Sequence, residues 1–128
     1  PRLESVSMGS TPDADSVVFE VSGNGIVGWS GRFVQDPRTY ISDSPTEVAG
    51  SCILQLDLTG FDPVAKDQET GPQRLTSAET SPVVEALTFP AVDGLSQTFV
   101  GMRGSTPTVS IGPSVIDNGA AVVASIAR

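Results

Sequence analysis

The side chains of this sequence that could do acid–base or metal chemistry are almost all carboxylates. There are 15 Asp and Glu residues, no histidine, one cysteine (Cys52) and one lysine (Lys66). Without histidine there is no imidazole to act as a general base or to activate a serine or cysteine nucleophile. One thiol without imidazole also cannot supply the three or four ligands of a zinc or iron site. Cys52 lies on the apolar side of a predicted strand, which favours a buried side chain over a reactive thiol. We therefore expect no cofactor and no metal site.

The carboxylates themselves offer two candidate sites. Asp13 and Asp15 stand two residues apart in a turn, as calcium ligands can. The further oxygens of a D-x-[DN]-x-[DN]-G loop do not follow, so an ordinary solvated turn is favoured. A glycoside hydrolase would need two carboxylates beside a sugar bond. Glu20 and Glu85 lie on predicted strands, but nothing in the sequence singles them out as a pair. We therefore expect that this protein is not an enzyme.

The charge balance argues against several classes of partner. The 15 acidic residues outnumber 7 basic ones, which gives a formal net charge of −8. An acidic surface repels phosphate backbones and anionic headgroups, so binding to nucleic acid and to membrane surfaces is disfavoured. The sequence contains no run of 18 apolar residues, so this segment is not expected to insert into a membrane. An export signal, if the protein has one, is expected upstream of Pro1.

Short strands separated by turns are the expected secondary structure. Gly (13 residues) and Pro (10 residues) punctuate segments rich in Val, Ile, Thr and Phe, and helical periodicity is scarce. The pattern predicts strands over residues 3–8, 16–21, 26–34, 52–58, 83–89, 95–103, 108–111 and 120–127. The last, Ala-rich segment could also form a short helix, but its Val and Ile residues favour a strand. About eight mostly antiparallel strands predict a single all-β domain over residues 1–128, built as a β-sandwich or a partly open barrel.

Local signals predict how some of these segments are connected. The pair Asn24-Gly25 predicts a hairpin between the strand before it and the strand after it. Gly28 and Gly31 interrupt that second strand and indicate a bulge or a close approach of another chain segment. The stretch 59–82 is polar and poor in apolar residues, so we predict a long mobile loop there.

Four segments, taken in order, resemble a known family. They are SVVFEV (16–21), VAGSCILQLDLTG (48–60), VVEALTF (83–89) and QTFVGMRG (97–104). Their order and spacing are similar to those of the AMIN-like domain of actinobacterial secreted proteins and lipoproteins. The resemblance implies an all-β fold related to the AMIN domain, which anchors envelope proteins to peptidoglycan. It also implies an exported location and supplies no catalytic residues. One departure is that residues 113–119 lack the basic residue that usually precedes the last strand of the family.

Three residues are candidates for contact with a ligand. Trp29 and Tyr40 are the only residues of their types, and rings of this kind stack on sugars in glycan sites. Trp29 shares the side of its strand that carries Val27 and Phe33, which favours burial, whereas core and surface are equally open for Tyr40. Arg103 could bind a carboxylate of a peptide stem, although a partner among the acidic side chains of the chain is favoured.

The sequence thus predicts a non-catalytic cell-envelope module that binds cell-wall glycan or an envelope protein. The alternative is a structural or protein–protein interaction domain of a secreted or lipid-anchored protein. Either function places the protein outside the cell or attached to its surface.

Overall fold

The computed structural model describes residues 1–39, 45–63, 71–77, 81–104, 107–116 and 119–127. Within these ranges the chain forms nine strands and no helix, which confirms the predicted all-β class. Accordingly, these ranges hold no helix that could span a membrane. In chain order the strands are β1 (Arg2–Ser10), β2 (Ala14–Ser22), β3 (Gly28–Val34), β4 (Cys52–Thr59), β5 (Gln73–Thr76), β6 (Val83–Thr88), β7 (Leu95–Met102), β8 (Val109–Ile116) and β9 (Gly119–Ala127).

The strands form two antiparallel sheets that pack face to face. One sheet has the order β1-β2-β9-β8, and the other has the order β3-β4-β7-β6-β5. β3 lies opposite β8, because a Cβ placed on Gly31 would be 2.7 Å from Cδ1 of Ile111. At the other side, the Ser77 hydroxyl contacts the Met8 sulfur at 3.9 Å, which places β1 opposite the β5–β6 connection. The predicted sandwich is therefore confirmed, and each sheet keeps two free edges instead of closing into a barrel.

Alternate residues of the central strands fill the space between the sheets. Val17 and Phe19 of β2 and Leu54, Leu56 and Leu58 of β4 are each exposed by 3% or less. Burial of one such side chain contributes about 1.5–3 kcal/mol to folding. β7 is buried on both of its faces along almost its whole length. The strands β4 and β7 therefore form a rigid platform at the middle of the five-stranded sheet.

The turn at Asn24-Gly25 does not close the predicted hairpin. β2 pairs with β1 and β9, whereas β3 pairs with β4 in the other sheet. Gly23 and Gly25 have φ values of 88° and 122°, which only glycine adopts readily. The chain does turn at this point, but it crosses from one sheet to the other. The hairpin prediction was wrong because a turn signal is local, while the pairing of the next strand depends on the packing of both sheets.

The stretch 59–82 is a loop only in part. Residues 73–76 form β5, which pairs with β6, and Phe61 is buried in the core at 6% exposure. The prediction of one continuous loop was therefore wrong at these positions. Because a short edge strand needs little apolar surface, Leu75 alone packs against the core from β5 and gives a weak sequence signal. Residues 64–70 and 78–80 of the stretch lie outside the described residues. At the C-terminus, the Ala-rich segment is the strand β9, as predicted.

Candidate functional site

Residues 45–51, which we call the strap, cross the outer face of the five-stranded sheet. The crossing point is Gly101 in β7, whose neighbours on both sides face the core. A Cβ on Gly101 would lie 1.7 Å from the carbonyl oxygen of Ala49 and 3.1 Å from Cγ1 of Val48. No side chain fits into that space, so only glycine lets the strap lie directly on the sheet.

A buried carboxylate holds the strap in place. Glu85 of β6 is directly opposite Gly101 in the sheet, and it is 9% exposed. Its Oε2 accepts a hydrogen bond from the backbone N–H of Ala49 at 2.9 Å. The same oxygen forms an ion pair with Arg74 of β5. Arg74 also donates to the carbonyl oxygen of Glu47 at 3.1 Å. Two charged side chains thus bind the strap: Glu85 accepts from the Ala49 N–H, and Arg74 donates to the Glu47 carbonyl. Both hydrogen bonds are charge-assisted.

An open groove, which we call the strap groove, lies between the strap and the sheet. Its volume is about 680 Å³, which is within the usual range of small-ligand sites. It is lined by Gln35, Pro37, Thr46, Glu47, Val48, Ala49, Ile53, Arg74 and Glu85. The groove therefore combines amide, hydroxyl and charged groups with apolar side chains.

The two carboxylates considered for sugar hydrolysis do not meet in the strap groove. Oε2 of Glu85 already accepts two hydrogen bonds that hold the strap, so Glu85 has a structural task. Glu20, the other carboxylate considered for sugar hydrolysis, lies on β2 in the opposite sheet and accepts a hydrogen bond from the Ser5 hydroxyl at 2.8 Å. The structure does not bring Glu20 and Glu85 together. Gln35 and Thr46 offer neutral donors and acceptors, which suits a polar ligand without net charge.

A row of polar side chains continues along the same outer face. Arg32 of β3 donates to the Gln55 side-chain oxygen at 3.5 Å. The Gln55 amide in turn donates to Asp57 at 3.1 Å, and Gln55 is only 5% exposed. These bonds stiffen the face between β3 and β4, because each member of the row fixes the next. The strap groove therefore borders a surface that is polar and ordered.

The three candidate ligand residues do not form one site. Trp29 is 39% exposed. The alternation of residues in its strand correctly predicted that it faces the core side of the sheet, because it pairs with the buried Leu58. The prediction that Trp29 is buried was wrong because β3 is an edge strand. The Trp29 ring has a neighbouring strand, β4, on one side only. Arg103 follows the far end of β7, and its Nε donates to the Ser81 carbonyl at 2.8 Å. Trp29 and Arg103 are at opposite ends of the sheet, roughly 20 Å apart by strand length. Tyr40 lies outside the described residues.

The turn carboxylates also differ from expectation. Asp13 is exposed, but Asp15 is only 2% exposed, so the prediction that both lie in a solvated turn was wrong for Asp15. Asp15 Oδ1 accepts from the Ser10 hydroxyl at 2.8 Å, and Oδ2 accepts from the Val83 N–H at 3.4 Å. The carboxylate therefore joins the two sheets. Across the described ranges, no cluster of three or more His, Cys, Asp or Glu could hold a metal ion. Cys52 is half-buried and packs against the core, on the side that parity predicted.

Sequence reasoning missed the elements that build the strap groove. Arg74 lay in a stretch predicted to be a loop, and Glu85 carried no signal beyond its place on a strand. The strap residues Val48 and Ala49 and the glycine at 101 belong to two of the segments that carry the family resemblance. Their contact across the sheet gives these motifs a shared physical reason, which sequence order alone does not show.

The comparison with protein families covers the strap groove. The sequence profile of the AMIN-like domain matches residues 1–127. The match includes the strap, the glycine beneath it and the ion pair that holds it. No curated protein and no solved structure matches this chain.

Proposed function

Because this chain belongs to the AMIN-like domain family, we propose that it is a non-catalytic cell-envelope module that binds cell-wall glycan. The observation that carries the proposal is the family match over residues 1–127. The AMIN domain to which the family is related anchors envelope proteins to peptidoglycan. By the same relation, the protein is secreted or attached to the cell surface, as part of an actinobacterial secreted protein or lipoprotein. An acidic domain of this kind would hold a protein at the wall without altering the wall chemically.

The strap groove is the site that we assign to the glycan. Sugar hydroxyls need neutral donors and acceptors, and Gln35 and Thr46 line the groove with such groups. Val48 and Ile53 provide apolar surface for the carbon faces of a sugar ring. The net charge of −8 opposes attraction to an anionic polymer. Binding in this groove would therefore depend on hydrogen bonds and contact area instead of ion pairs.

A pull-down on purified peptidoglycan tests the proposal. We expect the protein to be retained on the insoluble wall, with little change between low and high salt, because few ion pairs would be screened. Absence of retention at any salt concentration refutes glycan binding.

Matched variants test the location of the site. The double variant Gln35→Ala and Thr46→Ala removes neutral polar side chains that line the groove. It keeps the backbone bond from the Thr46 N–H to the Pro37 carbonyl and the contacts of Glu85 and Arg74 that hold the strap. We expect its retention to fall at least about tenfold, the effect of losing roughly 1.4 kcal/mol of binding. Val115→Ala is the control and should bind like the unaltered protein, because Val115 is exposed on β8 in the opposite sheet and does not line the groove. The sequence also predicts that Trp29 or Tyr40 stacks on sugar if its ring is exposed. Trp29→Ala and Tyr40→Ala test this prediction in the same pull-down, and Tyr40→Ala should weaken binding and leave the fold intact.

The second candidate function is a protein–protein interaction domain that does not touch glycan. Exposed aromatic side chains on β3 favour it: Trp29 is 39% exposed and Phe33 is 54% exposed. Such a domain would stay in the supernatant of the pull-down until its partner was added. This outcome would give the interaction function priority over glycan binding.

A further inference from the structure

The edges of the two sheets are not equally protected against pairing with another strand. Free edges expose unpaired backbone groups, and proteins usually block them with bulges, prolines, charges or short strands. β1 carries a register irregularity between Leu3 and Ser5. β8 contains Pro113, which cannot donate a backbone hydrogen bond. β5 is only four residues long. Three edges therefore carry a recognisable block.

The fourth edge, β3, has no bulge, no proline and no shortened strand in the part of the chain that the structure describes. Its one charged residue, Arg32, is on the outer face, where it donates to Gln55 of β4. The strand has seven residues and an uninterrupted register with β4. Trp29 and Phe33 lie on the same side of β3, since they are opposite the buried Leu58 and Leu54. Both rings are nevertheless exposed, because no further strand of the described ranges lies beside β3. A strand added beside β3 would cover the two rings and pair its backbone.

The sequence of β3 is symmetric about its middle residue. Gly31 is the fourth of the seven residues from Gly28 to Val34, and one aromatic residue stands two positions away on each side. A two-fold axis at Gly31 would place two antiparallel copies of β3 in register. Trp29 would then be opposite the partner's Phe33, and Ser30 would be opposite the partner's Arg32. Aromatic pairs and complementary polar pairs at such positions stabilise antiparallel strands.

We propose that two copies of this chain associate through β3, antiparallel about a two-fold axis at Gly31. The two five-stranded sheets then become one continuous sheet. A self-complementary patch of this kind is what a closed two-fold dimer requires. The proposal is independent of glycan binding, because none of the β3 residues Gly28–Val34 lines the strap groove.

The interface is small, and the two copies repel each other electrostatically. A pairing through one seven-residue strand buries less than a standard interface, so the Kd lies in the micromolar range. Each copy carries a net charge of −8. Salt screens this repulsion, so association becomes tighter as ionic strength rises. Association driven by ion pairs would show the opposite dependence.

Sedimentation equilibrium tests the proposal on the unaltered protein. Concentrations from about 5 μM to about 500 μM bracket a micromolar Kd. We expect the average mass to rise from 13.2 kDa towards twice that value, and to rise further at high salt. A mass of 13.2 kDa at every concentration and salt would overturn the dimer. The edge of β3 would then be available to pair with a strand of another protein.

Variants at Ser30 test the strand register. In its own sheet Ser30 is opposite Asp57, so the lysine of Ser30→Lys faces a negative charge within its own chain. In the dimer the same lysine faces the positive charge of the partner's Arg32. We expect this variant to weaken the dimer about tenfold without loss of folding stability. Ser30→Glu meets the partner's Arg32 with opposite charge and should tighten the dimer. Equal Kd values for both variants would overturn the proposed register.

A second pair of variants tests the aromatic contact. Phe33→Lys puts a charge at the pairing face and should abolish association below about 500 μM. Val92→Lys is the matched control, because Val92 is also exposed, at 43%, but belongs to the chain segment that connects β6 to β7. Its Kd should stay within about twofold of the unaltered protein. Circular dichroism of both variants checks that the β fold is retained. Equal loss of association in the two variants would overturn the assignment to β3.

Discussion

Replacement of Gly101 by alanine is the sharpest test of the strap. The new Cβ would lie 1.7 Å from the Ala49 carbonyl oxygen and 2.8 Å from its carbonyl carbon. Both atoms belong to the backbone, so no side-chain rotation can relieve the clash. β7 is the buried middle strand of its sheet, whereas the strap lies on the surface. We therefore expect the strap to move away and β7 to stay in place.

The expected loss of stability follows from the bonds that hold the strap. Displacement breaks the charge-assisted bond from the Ala49 N–H to Glu85, which contributes about 1.5–3 kcal/mol. It also breaks the bond from the Ser51 N–H to the Met102 carbonyl, which contributes about 0.5–1.5 kcal/mol. The reduced entropy of the unfolded chain offsets about 0.4–1 kcal/mol. The net destabilisation should be about 1–4 kcal/mol.

Urea unfolding followed by tryptophan fluorescence and circular dichroism measures this loss. Gly112→Ala is the matched control, since Gly112 is also in a strand and a Cβ there would meet nothing within 4 Å. We expect the control to change the free energy of unfolding by less than about 1 kcal/mol. The same Gly101→Ala protein should lose retention on peptidoglycan, because the strap forms one wall of the groove. A destabilisation below about 0.5 kcal/mol would mean that the bonds from the strap N–H groups to Glu85 and Met102 do not hold the strap against the sheet.

Three further predictions concern the core, the contact between the sheets and the long polar stretch. Leu54→Ala or Leu56→Ala should each cost about 2–5 kcal/mol in denaturant unfolding, because each leaves a cavity between the sheets; losses below about 0.5 kcal/mol at both would contradict the core assignment. Asp15→Ala should cost about 1–3 kcal/mol, since it removes the carboxylate that accepts from the buried Val83 N–H of the other sheet, whereas Asp13→Ala in the same turn should change stability by less than about 0.5 kcal/mol. Trypsin should cut first after Lys66, where the sequence offers few side chains to bury; a first cut after Arg32 of β3 would argue against this.

The strands were predictable because their signal is local. Alternation of apolar and polar residues located eight of the nine strands, and the same parity placed Leu54 and Leu56 in the core. β5 was missed because it contributes a single core side chain, Leu75. The turn at Asn24-Gly25 was predictable as a turn, but its strands belong to different sheets.

The candidate site was much less predictable, because its parts are distant in the sequence. Glu85 and Arg74 reach the strap from two strands that follow it in the chain by more than 20 residues. Family resemblance selected the segments that contain Ala49 and Gly101, without showing that they touch. The same limit applies to Trp29, since parity gives the side of a strand and not its position in the sheet.

The sequence by itself determined the all-β class, the location of most strands and the side of each strand that faces the core. These properties depend on the alternation of neighbouring residues, which is written in the chain at a period of two. The tertiary structure alone decided the order of strands in the sheets, and hence which strands became edges. It also decided that Asp15 is buried between the sheets and that the strap crosses the sheet at Gly101. These properties arise from contacts between segments far apart in the chain, and such contacts are fixed only when both sheets pack together.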